Sequence, residues 1–312
     1  MHLIIPFASV LSEAGRHAMR GLALPHLDEL LARLAPVARD AGDEYGLSPP
    51  HERALAGALG LEGGDGLLPW GAHGAAARGI ATEDLAWGLV TPAHCRVGTS
   101  EISLVDPAAL ALDEAESRAL FEAVHPLFEA AGFVLLYGAP LEWYAAHESL
   151  AELASASLDR VVGRRLDPWL APLERARGVR RLQNEVQMLL HGQPANEARE
   201  ARGALAVNSF WLSGCGVHQP ARDVPGLRVD DALRASALGE DWHAWRAAWR
   251  SLDAGPLAEA LAAARRGDPV ALTLCGERHA QRHESRPLGL VARLAQRLRP
   301  AAGDARAVLE SL

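Results

Sequence analysis

The apolar positions of this 312-residue chain follow two patterns, one with helical spacing and one of short continuous runs. Apolar residues that recur every three or four positions predict amphipathic helices, and short apolar runs between turn residues predict buried strands. The predicted helices are 24–34, 51–61, 70–80, 112–131, 256–266 and 288–298, and the predicted strands are 3–7, 87–92, 94–97, 102–105, 133–137, 205–212 and 270–275. Strands alternate with helices, which favours an α/β protein with a mixed sheet flanked by helices. Residues 155–181 read as a polar loop.

The segment 182–216 carries polar residues that burial alone does not explain. Its first apolar stripe predicts a helix, which Gly192 and Pro194 end. Asn196 is expected to cap a short second helix over residues 197–202.

The apolar run 205–212 predicts a buried strand with Asn208 in its middle and two glycines after it. A buried asparagine needs hydrogen-bond partners, and glycines after a strand allow a close approach. We therefore expect the polar groups of this segment to converge on an anionic or amide-rich feature of a ligand. The expected ligand-binding residues are Asn184, Asn196, Arg199, Arg202, Asn208, Trp211, Gly214 and Gly216. The alternative is structural: the asparagines tie loops, the arginines cover the surface and the tryptophan lies in the core.

The composition narrows the class of protein. Hydrophobic residues make up 49% of the chain and charged residues 22%, as in ordinary globular proteins. A net charge of -8 argues against nucleic-acid binding, which needs a basic surface. The apolar runs are too short to span a membrane, and the first residues do not resemble a signal peptide. Three separated cysteines form neither a disulfide framework nor a zinc pattern. We expect a cytoplasmic protein.

Three further features could carry chemistry. His279 and His283 lie four residues apart, a spacing that places two metal ligands on one face of a helix, and Glu277 is close by. The chain offers no clear third ligand, so we predict no metal and no cofactor. The alternative to a metal site is that the two histidines are solvated side chains of a loop. Cys215 between two glycines resembles a nucleophile on a tight turn with His218 near it, but no third group can be assigned.

A tryptophan stripe forms the last of these features. Trp242, Trp245 and Trp249 share one helix face, which is typical of core packing and, less often, of a binding surface.

Several segments resemble the archaeal-type, 2,3-bisphosphoglycerate-independent phosphoglycerate mutases of the alkaline-phosphatase superfamily. The residues that fall on that family's pattern are Pro194, Asn196, Arg199, Gly203, Asn208, Trp211, Gly214 and Gly216. Upstream, DLAWGLVTPAHCRV at 84–97, LDEAESRAL at 112–120 and LPHLDELLARL at 24–34 are similar to further segments of the family. The resemblance implies a degenerate mutase-like core with an inserted α/β region. It divides the chain into 1–83 and 205–312, the two parts of the core, and 84–204, the insert.

Over nearly its full length the chain resembles the bacterial RpfE-type regulatory proteins, through LQNE at 182–185, AREARG at 198–203, VNSFWLSG at 207–214 and LTLCGE at 272–277. Active mutases require two divalent metals, and their first strand ends in an acidic ligand. Residues 3–8 of this chain contain no acid. The resemblance therefore implies a non-catalytic regulatory or ligand-sensing protein that has lost the metal centre. Its retained polar site is then expected to bind a small phosphorylated or carboxylated anion, since the fork of arginine suits either group.

Two alternatives belong to other classes of protein. One is a divergent metal-dependent phosphoglycerate mutase or phosphotransferase with two divalent metals, using Glu277, His279 and His283 as ligands. The other is a protein-interaction module that contacts a partner protein through the tryptophan face or the loop 155–181.

Overall fold

The structure, a computed structural model, describes residues 1–82, 85–99, 101–285 and 303–312. It contains two compact units. Unit 1 consists of Met1–Glu44, Pro49–Leu59 and Arg222–Leu312, and unit 2 consists of Tyr45–Ser48 and Gly60–Ala221. The division assigns residues 60–83 and 205–221 to unit 2, whereas the sequence boundaries placed them with the two parts of the core. The predicted helix 288–298 lies outside the described residues.

Unit 1 is built on a mixed five-stranded sheet with helices packed against it. Its strands are β1 (His2–Ile5), β2 (Leu34–Ala41), β9 (Leu227–Val229), β10 (Ala271–Cys275) and β11 (His279–Ser285). Its helices are α1 (Glu13–Arg20), α2 (Pro25–Arg33), α3 (Pro50–Leu59), α9 (Arg234–Leu238), α10 (Trp242–Leu252), α11 (Ala258–Arg266) and α12 (Ala305–Glu310). The strand order is β2-β11-β10-β1-β9. The strand β1 lies between β10 and β9 and runs parallel to both, and β11 runs antiparallel to β10 and β2.

The sheet of unit 1 buries both of its faces. Successive side chains of a strand point to opposite faces. Leu3 and Ile5 therefore join the core formed with α1, α2, α10, α11 and α12, while Ile4 joins Cys275 and Ala280 in the cluster with α3. Burial on both faces explains why β1 is a continuous apolar run.

The tryptophan stripe of α10 belongs mainly to this core. Trp245 and Trp249 are fully buried, and the Trp245 indole N–H donates to the carbonyl oxygen of Phe7 at 3.1 Å. Trp242 is half-buried and stacks edge-on against Trp245. The prediction of core packing is confirmed for the two inner tryptophans.

Unit 2 contains an antiparallel four-stranded sheet and a separate hairpin. The sheet has the order β6-β7-β3-β8, and the hairpin pairs β4 with β5. The strands are β3 (Ala86–Ala93), β4 (Cys95–Val97), β5 (Ile102–Leu104), β6 (Val134–Ala139), β7 (Glu142–Ala146) and β8 (Ser209–Val217). The helices are α4 (Trp70–Ala77), α5 (Glu114–Ala130), α6 (Leu158–Val161), α7 (Leu173–Leu190) and α8 (Pro194–Ala201). In the described chain no helix combines the length and the apolar character needed to cross a membrane.

Glycines allow α4 to lie directly on β3 and β8. A Cβ atom on Gly71 would stand 2.6 Å from the backbone of Gly88, and one on Gly214 would stand 2.8 Å from Cβ of Trp70. Gly214 also has φ of 63°, a conformation that glycine adopts without strain. Gly216 approaches Pro69 similarly. The close approach predicted for these two glycines is therefore confirmed, and the neighbour is α4.

Several elements differ from the sequence predictions, and three of them lie outside the candidate metal site. The strand β2 was missed because it is an edge strand with mostly exposed side chains, and Pro36 is tolerated there. The predicted loop 155–181 contains α6 and the first half of α7, whose buried stripe is interrupted by charged residues. The predicted strand 205–212 begins only at Ser209 and continues through the glycines to Val217.

We expect Gly71→Ala to lower the free energy of unfolding by about 1–3 kcal/mol, because the added methyl group meets backbone that cannot move aside. Gly178→Ala is the matched control, since nothing lies within 4 Å of a Cβ atom at that helical position. The control should be stabilised by about 0.5–1 kcal/mol through helix propensity. Urea unfolding measures both, and equal effects in the two variants would contradict the close packing of α4.

Burial in the sheet should make stability depend on pH through His2. Its Nε2 lies 2.9 Å from Oγ1 of Thr273, and burial, with Arg282 nearby, lowers its pKa from 6.5 to about 4. Between these values the unfolded chain binds a proton that the folded chain does not. Stability should therefore fall as pH decreases from about 6.5 to 4, by on the order of 2–3 kcal/mol.

The variant His2→Gln should flatten this slope, and His191→Gln, which removes an exposed histidine, should leave it unchanged. Burial also lowers the pKa of His283, so a smaller slope of the same sign should remain in His2→Gln. Urea unfolding at a series of pH values measures the slopes. An unchanged slope in His2→Gln would contradict the assignment.

Candidate functional site

The guanidinium group of the buried Arg199 forms its hydrogen bonds with oxygen atoms of unit 2. Its side chain is 0% exposed. Nε donates to the carbonyl oxygen of Leu205 at 2.8 Å, Nη1 donates to Oε2 of Glu116 at 2.5 Å, and Nη2 donates to the carbonyl oxygen of Leu110. All three nitrogen atoms thus contact oxygen atoms of the protein, which satisfies the buried charge.

The carboxylate of Glu116 connects this arginine to the start of α5. Glu116 forms a capping box with Asp113, in which each side chain bonds the other residue's backbone N–H. Arg202 donates to the other oxygen of the same carboxylate, but its side chain is 51% exposed. Arg199 should therefore contribute more than Arg202 to the free energy of folding, since exposed ion pairs contribute little.

Asn196 is buried and joins α7, α8 and the chain before β8. Its amide nitrogen donates to the carbonyl oxygens of Leu190 and Val207, both at 2.8 Å, and its amide oxygen accepts from the N–H of Val207 at 2.9 Å. The prediction that Asn196 caps a helix is wrong, because α8 begins at Pro194 and the asparagine side chain bonds neighbouring segments instead.

The other residues predicted to bind the ligand do not line one common cavity. Asn208 precedes β8 and bonds the N–H and the carbonyl oxygen of Cys95, at 2.7 and 2.9 Å. The indole N–H of Trp211 donates to the carbonyl oxygen of Ala156 at 2.9 Å. Asn184 is exposed on α7. The structure brings together Asn196 and the turn before β8, and the anion-binding role of the whole set stays a prediction.

Cys215 lies in the interior of β8, not on a tight turn as predicted. Its thiol is fully buried, and burial raises its pKa to about 12. A nucleophilic thiolate requires a lowered pKa and access to substrate. His218, the proposed base, is exposed beyond the end of the strand. This geometry favours a packing role for Cys215.

The histidine pair of the metal hypothesis lies on a strand rather than a helix. His279 and His283 belong to β11, where they pair with Ala41 and Pro36, and a register shift precedes His283. Four residues along a strand span about 13 Å, so the two rings cannot share a cation. The helical spacing argument is therefore wrong. No group of three metal-binding side chains occurs among the residues that the structure describes.

A cavity of about 540 Å³ opens in unit 1 where β1 and β10 end. The N–H of Ala8 donates to the carbonyl oxygen of Cys275 at 2.8 Å, which holds the two segments side by side. Glu277, just after β10, accepts from the N–H of Leu11 at 2.9 Å. The cavity is lined by Ser9, Val10, Leu11, Arg16, Met19, Arg20, Arg278, His279, Arg306, Glu310, Ser311 and Leu312.

Sequence reasoning missed the arginines of this cavity. Arg16 and Arg20 lie one helical turn apart on α1, which follows the first strand, and that spacing was the only signal in the sequence. Arg278 and Arg306 come from distant segments. His279 also faces this region, and burial, together with Arg39 and Arg278, lowers its pKa.

No family model matches the chain, and no curated protein matches it. Solved structures that are similar to it include the following two. The cofactor-independent phosphoglycerate mutase from Thermoplasma acidophilum DSM 1728 is 14% identical and covers 91% of this chain and 89% of its own, with a TM-score of 0.36. The PH0037 protein from Pyrococcus horikoshii is 12% identical and covers 98% of this chain and 91% of its own, with a TM-score of 0.44. Likeness at this level does not establish a function for the chain.

We expect Arg199→Ala to lower the free energy of unfolding by about 3–5 kcal/mol, because it leaves buried oxygen atoms without their donor. Arg202→Ala is the matched control, with the same change of charge and a shared partner, Glu116. It should cost under about 1 kcal/mol. Urea unfolding measures both. A stable Arg199→Ala protein that had lost anion binding would instead support the predicted ligand site.

Proposed function

We propose that this chain is a non-catalytic, ligand-sensing protein of the RpfE regulatory type, and that its ligand site is the cavity of unit 1. The observation that carries the proposal is the place of this cavity, at the carboxyl ends of the parallel strands β1 and β10. In open α/β sheets, ligands bind at the carboxyl ends of the strands. Its volume also falls in the range of small-molecule sites, about 300–1,000 Å³.

The side chains around the cavity favour the binding of a small molecule over metal-dependent phosphoryl transfer. A two-metal clamp needs several carboxylate or imidazole ligands that converge. Glu277 accepts a hydrogen bond from Leu11, and Nδ1 of His279 lies 3.3 Å from the N–H of Gly42, which donates to it. The hydroxyl of Ser9 is buried and donates to the sulfur of Met19 at 3.9 Å. The side chains at this place do not fit two divalent cations, and they therefore do not support metal-dependent phosphoryl transfer.

A protein-interaction role receives less support from the geometry. Its first proposed contact was the tryptophan face, and Trp245 and Trp249 belong to the core. Its second was the segment 155–181, much of which is helix packed within unit 2. A regulatory protein can still pass its signal to a partner, but a bound small molecule is the better supported input.

The test combines metal analysis with a ligand screen on the full chain. We expect no stoichiometric metal, no mutase activity, and a melting temperature that rises with at least one member of a metabolite panel that includes both phosphoglycerates. Leu11→Trp, which narrows the cavity, should abolish that rise. Leu173→Trp, at an exposed position of unit 2, is the control and should retain it. Two metals per chain with mutase activity lost on chelation would contradict the proposal.

A further inference from the structure

The cavity of unit 1 has a charge opposite to that of the chain. The protein carries a formal net charge of -8. Among the described residues that line the cavity, however, four are arginines and one is a glutamate, Glu310. A concave site lined by one sign of charge focuses the electrostatic potential and attracts counter-ions. A cluster of arginines around one cavity of an acidic protein favours an anionic ligand.

Two of these four arginines are not neutralised within the described part of the chain. Within the described ranges the guanidinium groups of Arg16 and Arg20 have no ion-pair or hydrogen-bond partner. Arg278 lies 3.6 Å from Glu44, a long and half-exposed pair. Arg306 bonds Glu310 at 2.8 Å across one turn of α12. Like charges held around one cavity repel each other, and a bound anion removes that repulsion.

The shape of the cavity indicates more than one anionic group. The arginines come from three elements: α1, the turn between β10 and β11, and α12. A water molecule occupies about 30 Å³ in the liquid, so a single oxyanion would fill only a small part of about 540 Å³. Val10, Met19 and Leu312 add apolar surface, which suits a short carbon skeleton.

We infer that the cavity binds a small organic molecule with two or more phosphate or carboxylate groups, held by Arg16 and Arg20 on one element and by Arg278 and Arg306 on the others. The planar fork of arginine bonds both kinds of group in a bidentate manner. This inference rests on the proposed function, since it assigns the ligand class of the same cavity.

Isothermal titration calorimetry on the full chain tests the inference with three probes: methylenebisphosphonate, tricarballylate and inorganic phosphate. At low ionic strength we expect both multivalent probes to bind, at least tenfold more tightly than phosphate. Their affinity should fall as sodium chloride is added, because salt screens exposed charges. Phosphate that binds as tightly as methylenebisphosphonate would overturn the assignment of two anionic groups.

Charge-removing variants locate the binding. Arg16→Gln and Arg20→Gln should each weaken methylenebisphosphonate binding at least tenfold with an unchanged melting temperature, because both side chains are exposed and their guanidinium groups form no hydrogen bond or ion pair in the described chain. Arg266→Gln is the control, an exposed arginine of the same unit outside the cavity. Unchanged binding in the double variant Arg16→Gln/Arg20→Gln, or an equal loss in the control, would overturn the inference.

The two proposals fail in different ways. If none of the three probes binds, but an uncharged metabolite stabilises the protein and Leu11→Trp abolishes its effect, the anionic ligand class is wrong and the sensing function stands. If the purified protein holds two metals and interconverts phosphoglycerates, the sensing function is wrong whatever the probes do.

Discussion

Parallel pairing of the short strand β1 with β10 is the constraint on which unit 1 depends. All four residues of β1 are buried, and they pair in register with 271–274. The apolar run is thus shielded on both faces, by the helical core and by α3. The same pairing sets the chain that leaves β1 beside the chain that leaves β10. The cavity therefore follows from the register of the sheet, and its lining is drawn from segments far apart in sequence.

Unit 2 shows how a polar segment can resemble a binding site and serve the fold. Arg199 and Asn196 bond mainly to backbone oxygen atoms, at the ends of helical segments and in the chain before β8. A buried arginine can donate hydrogen bonds to several carbonyl oxygens at once. Removing it leaves those buried oxygens without this donor, which costs free energy of folding. The exposed Arg16 and Arg20 have the opposite character, because their charge is available to a ligand. Burial and partners distinguish the two kinds of arginine.

Local patterns predicted much of the fold. The strand at 3–7 and the helices at 24–34, 51–61 and 112–131 are confirmed to within a few residues, since their apolar spacing and caps are local properties. The spacing of His279 and His283 was misread because four residues suit one face of a helix and, equally, one face of a strand. The arginine cavity could not be predicted, because only long-range strand pairing brings Arg278 near Arg16.

A crystal structure of the protein grown with methylenebisphosphonate would show whether the arginine cavity is the ligand site. We expect one molecule in the cavity between α1, the β10–β11 turn and α12, with its oxygen atoms within hydrogen-bond distance of Arg16, Arg20 and Arg278. Binding of the probe only at another surface, with solvent alone in the cavity at a saturating concentration, would contradict it.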